Sequence, residues 1–176
     1  ERKQARIDFL KGLVESYDGF SEGARYLITS DEWSRKIQTT VGEAVRTDPR
    51  YRVAIETALG ESAGYIVVDN VEEAYAAIDA LKRHNKGKAT FICLNRLPHV
   101  RPHRTSLAAK GVVEWARAVV SVAGPHEALF DYLLDETLLV EDVPAALRVV
   151  GDHPAIRCIT LDGEVGRRVL RDARVR

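Results

Sequence analysis

The sequence predicts an α/β to α+β fold, with two small mixed lobes whose short β-sheets are covered by helices. Three observations predict it. Short β-branched runs, "YIVVD" (65–69), "KATFICL" (88–94), "TLLVE" (137–141) and "IRCITLD" (156–162), have the length and composition of buried strands. Between the members of each pair stands a helical pattern, "NVEEAYAAIDALKRHNKG" in one case and "DVPAALRVVGDH" in the other. The two arrangements also repeat one another loosely, each with a helix before the first strand and an Ala pair in the helix between strands. A helix joining two strands is compatible with a parallel crossover, and 176 residues suffice for one domain or two small lobes.

Taken in order, residues 2–17 carry Arg6, Leu10, Leu13 and Tyr17 at three-or-four spacing, which suits a packed surface helix or the end of a coiled coil. Gly19 and Gly23 in "YDGFSEG" are expected to break that helix, and "ARYLITS" reads as a short strand or a turn of helix. "DEWSRKIQTTVGEAVRTDPRY" is ambiguous. Asp48-Pro49 opens a helix in which Val53, Ala54, Ala58 and Leu59 recur near helical spacing, and Gly60 sits just past its end, free to take positive φ. Asn70 caps the next helix, with Ala74, Ile78 and Leu81 inward and Gly87 at its end. "NRLPHVRPHRTSLAAKG", with two prolines and no period, reads as the loop separating the lobes. "VVEWARAVVSV" begins the second lobe, and "PHEALFDYLLDE" supplies its first helix.

Composition excludes several classes. An apolar fraction of 45% with 30% charged residues is that of a folded globular chain, and no stretch approaches the ~18 uninterrupted apolar residues of a membrane span. The opening "ERKQARIDFL" is too charged for a secretory signal, and the chain, which does not begin with Met, is expected to be an excised piece. Cys93 and Cys158 lie in apolar runs without a C-x-x-C pair, so they read as buried reduced thiols in a cytoplasmic setting. Net charge is zero, yet no acidic residue occurs between Asp79 and Glu114. That window holds Lys82, Arg83, Lys86, Lys88, Arg96, Arg101, Arg104 and Lys110, eight of the 26 basic residues, leaving 18 against 26 acids elsewhere. Such a segment is either a positive surface suited to phosphate or a solvated loop compensated by acids from other segments.

Chemistry-bearing patterns fare poorly. Gly60, Ser62 and Gly64 form G-x-S-x-G, but a nucleophile elbow runs strand, turn, helix, and here a helix precedes and a strand follows. Ser62 reads as a loop serine. "HNKGKAT" has the tail of a P-loop, but Lys82 stands where the first glycine belongs. His99 and His103 are four apart, but Pro98 and Pro102 argue against the helix that would align them, so no metal is expected. Nothing nominates an enzyme or a cofactor.

The segment order nevertheless resembles a known family. "YDGFSEGARYL", followed by "YRVAIETALGESAGYIVVDNVEEAYAAIDALKRHNKGKATFICLNRL", is similar to the first half of the hinge domain of structural maintenance of chromosomes (SMC) proteins of bacterial and archaeal type. "LFDYLLDETLLVEDVPAALRVV" and "IRCITLDGE" resemble its second half. The most specific pieces are A-I-E-x-A-L-G at Ala54–Gly60, G-K-A-T-F at Gly87–Phe91 and T-L-D-G-E at Thr160–Glu164.

The resemblance implies residues 1–18 as the end of a long coiled coil, 19–105 as the first hinge lobe and 106–176 as the second. It implies dimerisation with a second hinge, most simply a homodimer, in a chromosome-associated cytoplasmic protein whose ATPase heads lie outside this chain. It also implies weak, non-specific DNA contact through a basic surface, with Lys82, Arg83, Lys86, Lys88, Arg101, Arg104 and Lys110 as candidates. The family's glycine-rich stretch is represented only by Gly42, and its paired glycines after the last strand do not appear. The C-terminal segment near Ala173, Arg174, Val175 and Arg176 is where a dimer contact is expected, and self-association of this fragment is expected to be weak. Two other readings remain: a two-lobed protein binding a small ligand between its lobes, and a hydrolase using Ser62.

Overall fold

The computed structural model describes residues 21–33, 39–101 and 107–166. Its elements, in chain order, are α1 (Glu22–Thr29), β1 (Thr39–Thr40), α2 (Val41–Ala44), β2 (Val45–Thr47), α3 (Arg52–Leu59), β3 (Ile66–Val68), α4 (Val71–Arg83), β4 (Phe91–Cys93), β5 (Val112–Trp115), β6 (Val120–Val122), α5 (Glu127–Leu133), β7 (Thr137–Val140), α6 (Val143–Asp152), β8 (Arg157–Thr160) and β9 (Val165–Gly166). The fold is a mixture of helices and short sheets, as the strand and helix patterns predict. The expected helix over 2–17 and the C-terminal segment 173–176 lie outside the described residues.

The chain divides into two units. The first takes the described residues of 21–44 and 61–97, the second those of 45–60 and 98–166. Relative to a boundary at 105/106, two things differ: the chain crosses at Leu97–Pro98, and residues 45–60 pack with the second unit although they precede β3. Their anchor is non-local. β2 pairs antiparallel with β6, Val45 opposite Val122 and Thr47 opposite Val120, and the Thr47 hydroxyl donates to the Val119 carbonyl at 2.8 Å.

In the first unit the sheet order is β1-β3-β4. β3 is central and buried along its whole length, antiparallel to β1 and parallel to β4 with Ile66 opposite Phe91 and Val68 opposite Cys93. The parallel crossover is α4. Its inward face, Ala74, Ala77, Ala80 and Leu81, joins Ile66 and Val68 with Ala24, Leu27 and Trp33. Small alanines let helix and sheet approach closely, and each fully buried Leu or Ile contributes about 1.5–3 kcal/mol. Gly23 does not break a helix here. Ser21 caps α1, accepting the Ala24 N–H, and Gly23 is buried within its first turn. A Cβ on Gly23 would stand 2.5 Å from the Lys88 carbonyl oxygen, so the glycine serves a close approach of backbones.

The second unit repeats the device. Its sheet order is β5-β7-β8-β9, with β7 and β8 parallel, Thr137 opposite Arg157 and Val140 opposite Thr160, and α6 as the crossover. All four residues of β7 are buried, which explains a strand that reads "TLLV" without alternation. Ala145, Ala146, Val149 and Val150 pack with Trp115, Leu138, Val140 and Cys158. On α3 the buried residues are Ala54, Ile55, Ala58 and Leu59; Val53, expected inward, is exposed. The helix ends at Gly60 with φ 52°, as its position predicts, and an Arg157 guanidinium nitrogen donates to the Ala58 carbonyl, one of the last-turn acceptors a helix leaves unsatisfied.

Candidate nucleic-acid interface

The basic cluster is built by the way α4 starts and stops. Asn70 accepts the Glu73 N–H at 2.9 Å, while the Glu73 carboxylate accepts from the Asn70 amide at 3.2 Å and the Asp69 N–H at 3.0 Å, a reciprocal cap that fixes the helix start. With that start fixed, the alanine face turns inward and Lys82 and Arg83 emerge outward in the last turn. Glu72 and Glu73 at one end and Lys82 and Arg83 at the other both complement the helix dipole. The stop differs from the expectation at Gly87. The helix ends at Arg83, and Asn85 takes the left-handed conformation with φ 51°. His84, Asn85 and Lys86 donate their N–H groups back to the carbonyls of Ala80, Lys82 and Leu81 at 3.0, 3.2 and 3.0 Å. Gly87, φ 76°, then carries the loop toward β4.

Lys82, Arg83, Lys86 and Lys88 are all exposed and gathered on this helix end and loop. Tyr26 of α1 joins them. Lys86 Nζ lies 5.7 Å from the centroid of the Tyr26 ring, which is itself 5.7 Å from the His84 ring centroid. Tyr26 stands outside the acid-free window, so charge counting could not find it. The signal that could is the inward set Gly23, Ala24 and Leu27, which places Tyr26 at the flank of α1. Some compensation by acids is also present. Asp79 pairs with Arg83 at 3.1 Å across an exposed i,i+4 step, and the Glu22 carboxylate lies 3.4 Å from where a Cβ of Gly87 would stand. The helix end and loop thus carry four exposed cations, and one of them, Arg83, is paired with an acid.

Two of the remaining candidates belong to the second unit. Arg101 and Lys110 are exposed in the second unit, where the Lys110 carbonyl accepts from Arg148 at 3.3 Å. Arg104 and His103 lie outside the described residues. His99 is exposed, and among the described residues no three His, Cys, Asp or Glu side chains are arranged to hold a metal. Ser62 sits in a short 3-10 turn, Gly60–Gly64, after α3 and before β3, the reverse of a nucleophile elbow. Both thiols are free. Burial pushes Cys158 up to about 11, and burial raises Cys93 too, with Glu72 and Glu73 adding to it and Arg96 opposing. Neither is the low-pKa thiolate that nucleophilic chemistry needs.

A basic helix end on a two-unit β-α-β scaffold fits many proteins. The comparison that decides the family is with the SMC proteins Flexible Hinge Domain, whose model matches residues 34–150. The chain belongs to the SMC hinge family. The matched stretch covers parts of both units and includes the A-I-E-x-A-L-G helix α3 and the G-K-A-T-F entry to β4. Similar proteins include the chromosome partition protein Smc of Desulfitobacterium hafniense, 31% identical over 171 residues and 93% of this chain, and that of Bacillus subtilis, 28% identical over 94% of this chain. This hinge spans only 14% of the length of either relative. Among solved structures it resembles an asymmetric dimer of the Geobacillus stearothermophilus SMC hinge domain, with TM-score 0.77 and 29% identity over 94% of this chain and 68% of that one. It also resembles the Pyrococcus furiosus SMC hinge domain, with TM-score 0.67 and 27% identity over 90% and 81% of the two chains. No helix among the described residues of this hinge is long and apolar enough to cross a membrane.

Proposed function

We propose that this hinge domain is the dimerisation module of a chromosome-associated Smc protein in the cytoplasm, and that the end of α4 with its following loop touches DNA weakly and without sequence preference. Family membership supports the first part, together with the dimer formed by the similar Geobacillus stearothermophilus hinge. Short sheets also support it: among the described residues β4 lies at one end of the first sheet and β5 and β9 at the ends of the second, edges of the kind another strand can pair. ATP hydrolysis belongs, on this reading, to heads elsewhere in the full protein. The observation that carries the DNA contact is the clustering of Lys82, Arg83, Lys86 and Lys88, all exposed, beside Tyr26. Four exposed cations on one helix end and loop suit a phosphate backbone rather than the reading of bases.

Sedimentation velocity over a concentration series tests the dimer. A monomer–dimer equilibrium with a second copy is expected, and a single monomer boundary at every concentration up to hundreds of micromolar contradicts it. Ser62→Ala is expected to leave association and DNA contact unchanged; covalent labelling of Ser62 by a fluorophosphonate would instead support the hydrolase reading.

A further inference from the structure

The C-terminal turn of α4 and the loop after it do more than display charge. They enclose a concavity of about 540 Å³, within the size range of small-ligand sites. Ile78, Leu81 and Ala89 give it an apolar lining. Lys82, Asn85, Gly87 and Lys88 complete the lining. Leu81 is 3% exposed and packs in one core cluster with Ala74, Ala77 and Ala80, so that part of the lining belongs to the packed core. Asp79 is engaged with Arg83, the Glu22 carboxylate lies 3.4 Å from where a Cβ of the lining residue Gly87 would stand, and neither Lys82 nor Lys88 forms an ion pair among the described residues.

An apolar lining shared with two ammonium groups that form no ion pair among the described residues is complementary to one kind of occupant. We propose that this concavity binds a small amphiphilic anion, its apolar body on Ile78, Leu81 and Ala89 and its carboxylate, sulfonate or phosphate held by Lys82 and Lys88. A neutral apolar molecule leaves the lysines unused, and a simple inorganic anion leaves the apolar lining wet; only the combined chemistry uses both. The same two lysines belong to the proposed DNA surface, so occupancy displaces DNA. That last arm alone rests on the DNA reading.

The probe is 8-anilinonaphthalene-1-sulfonate, titrated into the ¹⁵N-labelled full chain and followed by NMR, with uncharged N-phenyl-1-naphthylamine as control. Shifts confined to amides of residues 78–89 are expected, with binding at least about tenfold weaker for the control and for Lys82→Ala/Lys88→Ala. Both substituted side chains are exposed, so circular dichroism should confirm an unchanged fold. Decanoate and adenosine monophosphate then compete for the bound probe: displacement by the first assigns an aliphatic carboxylate, by the second a phosphate. Shifts scattered over the surface, equal affinity for the uncharged control, or displacement by neither competitor overturns the proposal. Confined probe binding that leaves DNA affinity unchanged supports the concavity and sinks the DNA assignment instead.

Discussion

Gly23 shows how a single residue can be read correctly as special and wrongly as to why. In sequence it looks like punctuation, since glycine lowers helix propensity. In the structure it is the point where α1 meets the backbone of Lys88, 2.5 Å from where a Cβ would reach the carbonyl oxygen. Backbone cannot swing aside as a flexible side chain can. Gly23→Ala is therefore expected to destabilise the first unit by ~2 kcal/mol despite alanine's better helix propensity, read from urea denaturation. Unchanged or increased stability contradicts the contact.

The two cysteines differ in a way that titration can report. Cys158 is fully buried on β8, whereas Cys93 is partly exposed. Iodoacetamide should alkylate Cys93 first, and Cys158 at least about tenfold more slowly unless the chain is unfolded. Because burial raises Cys158 from 9.0 to about 11, the fold favours the neutral thiol. Its contribution to stability is complete below pH 9 and is lost as pH rises toward 11, where the unfolded chain ionises first. The wild type should lose more stability across that window than Cys158→Ala; parallel losses contradict the assignment.

At the scale of elements, the repeated β-α-β device was the most legible feature. Asn70 and Asp142 both stand in extended conformation before their helices and accept the N–H three residues on, at 2.9 and 2.8 Å. Asn70→Ala and Asp142→Ala should each cost about 1 kcal/mol, with Asn70→Asp nearly neutral, measured by denaturant midpoints. Losses under a few tenths of that contradict the capping geometry. These elements were readable because cap, period and terminator are all local in sequence. What was not readable is non-local. Nothing in "VRT" announces that β2 pairs with β6, so the assignment of 45–60 to the second unit could not be foreseen. The basic cluster shows the same division: Lys82, Arg83, Lys86 and Lys88 follow from one window of sequence, whereas Tyr26 enters only through packing of α1 on α4.

For the molecule as a whole, zero net charge hides a local asymmetry, the acid-free window between Asp79 and Glu114. On the proposed reading, the exposed cations of this helix end and loop neutralise phosphates and release condensed counterions, so the affinity for DNA is expected to fall steeply with salt. The measurement that tests this most directly is fluorescence anisotropy of a labelled duplex across a salt series, on the wild type and on Lys82→Glu/Arg83→Glu/Lys86→Glu/Lys88→Glu. The wild type should bind weakly, without sequence preference, with a log–log slope of about −3 if three or four contacts form. The variant, with circular dichroism unchanged, should not bind. Equal affinity of the two proteins, or a wild-type affinity indifferent to salt, would contradict the assignment of DNA contact to this surface.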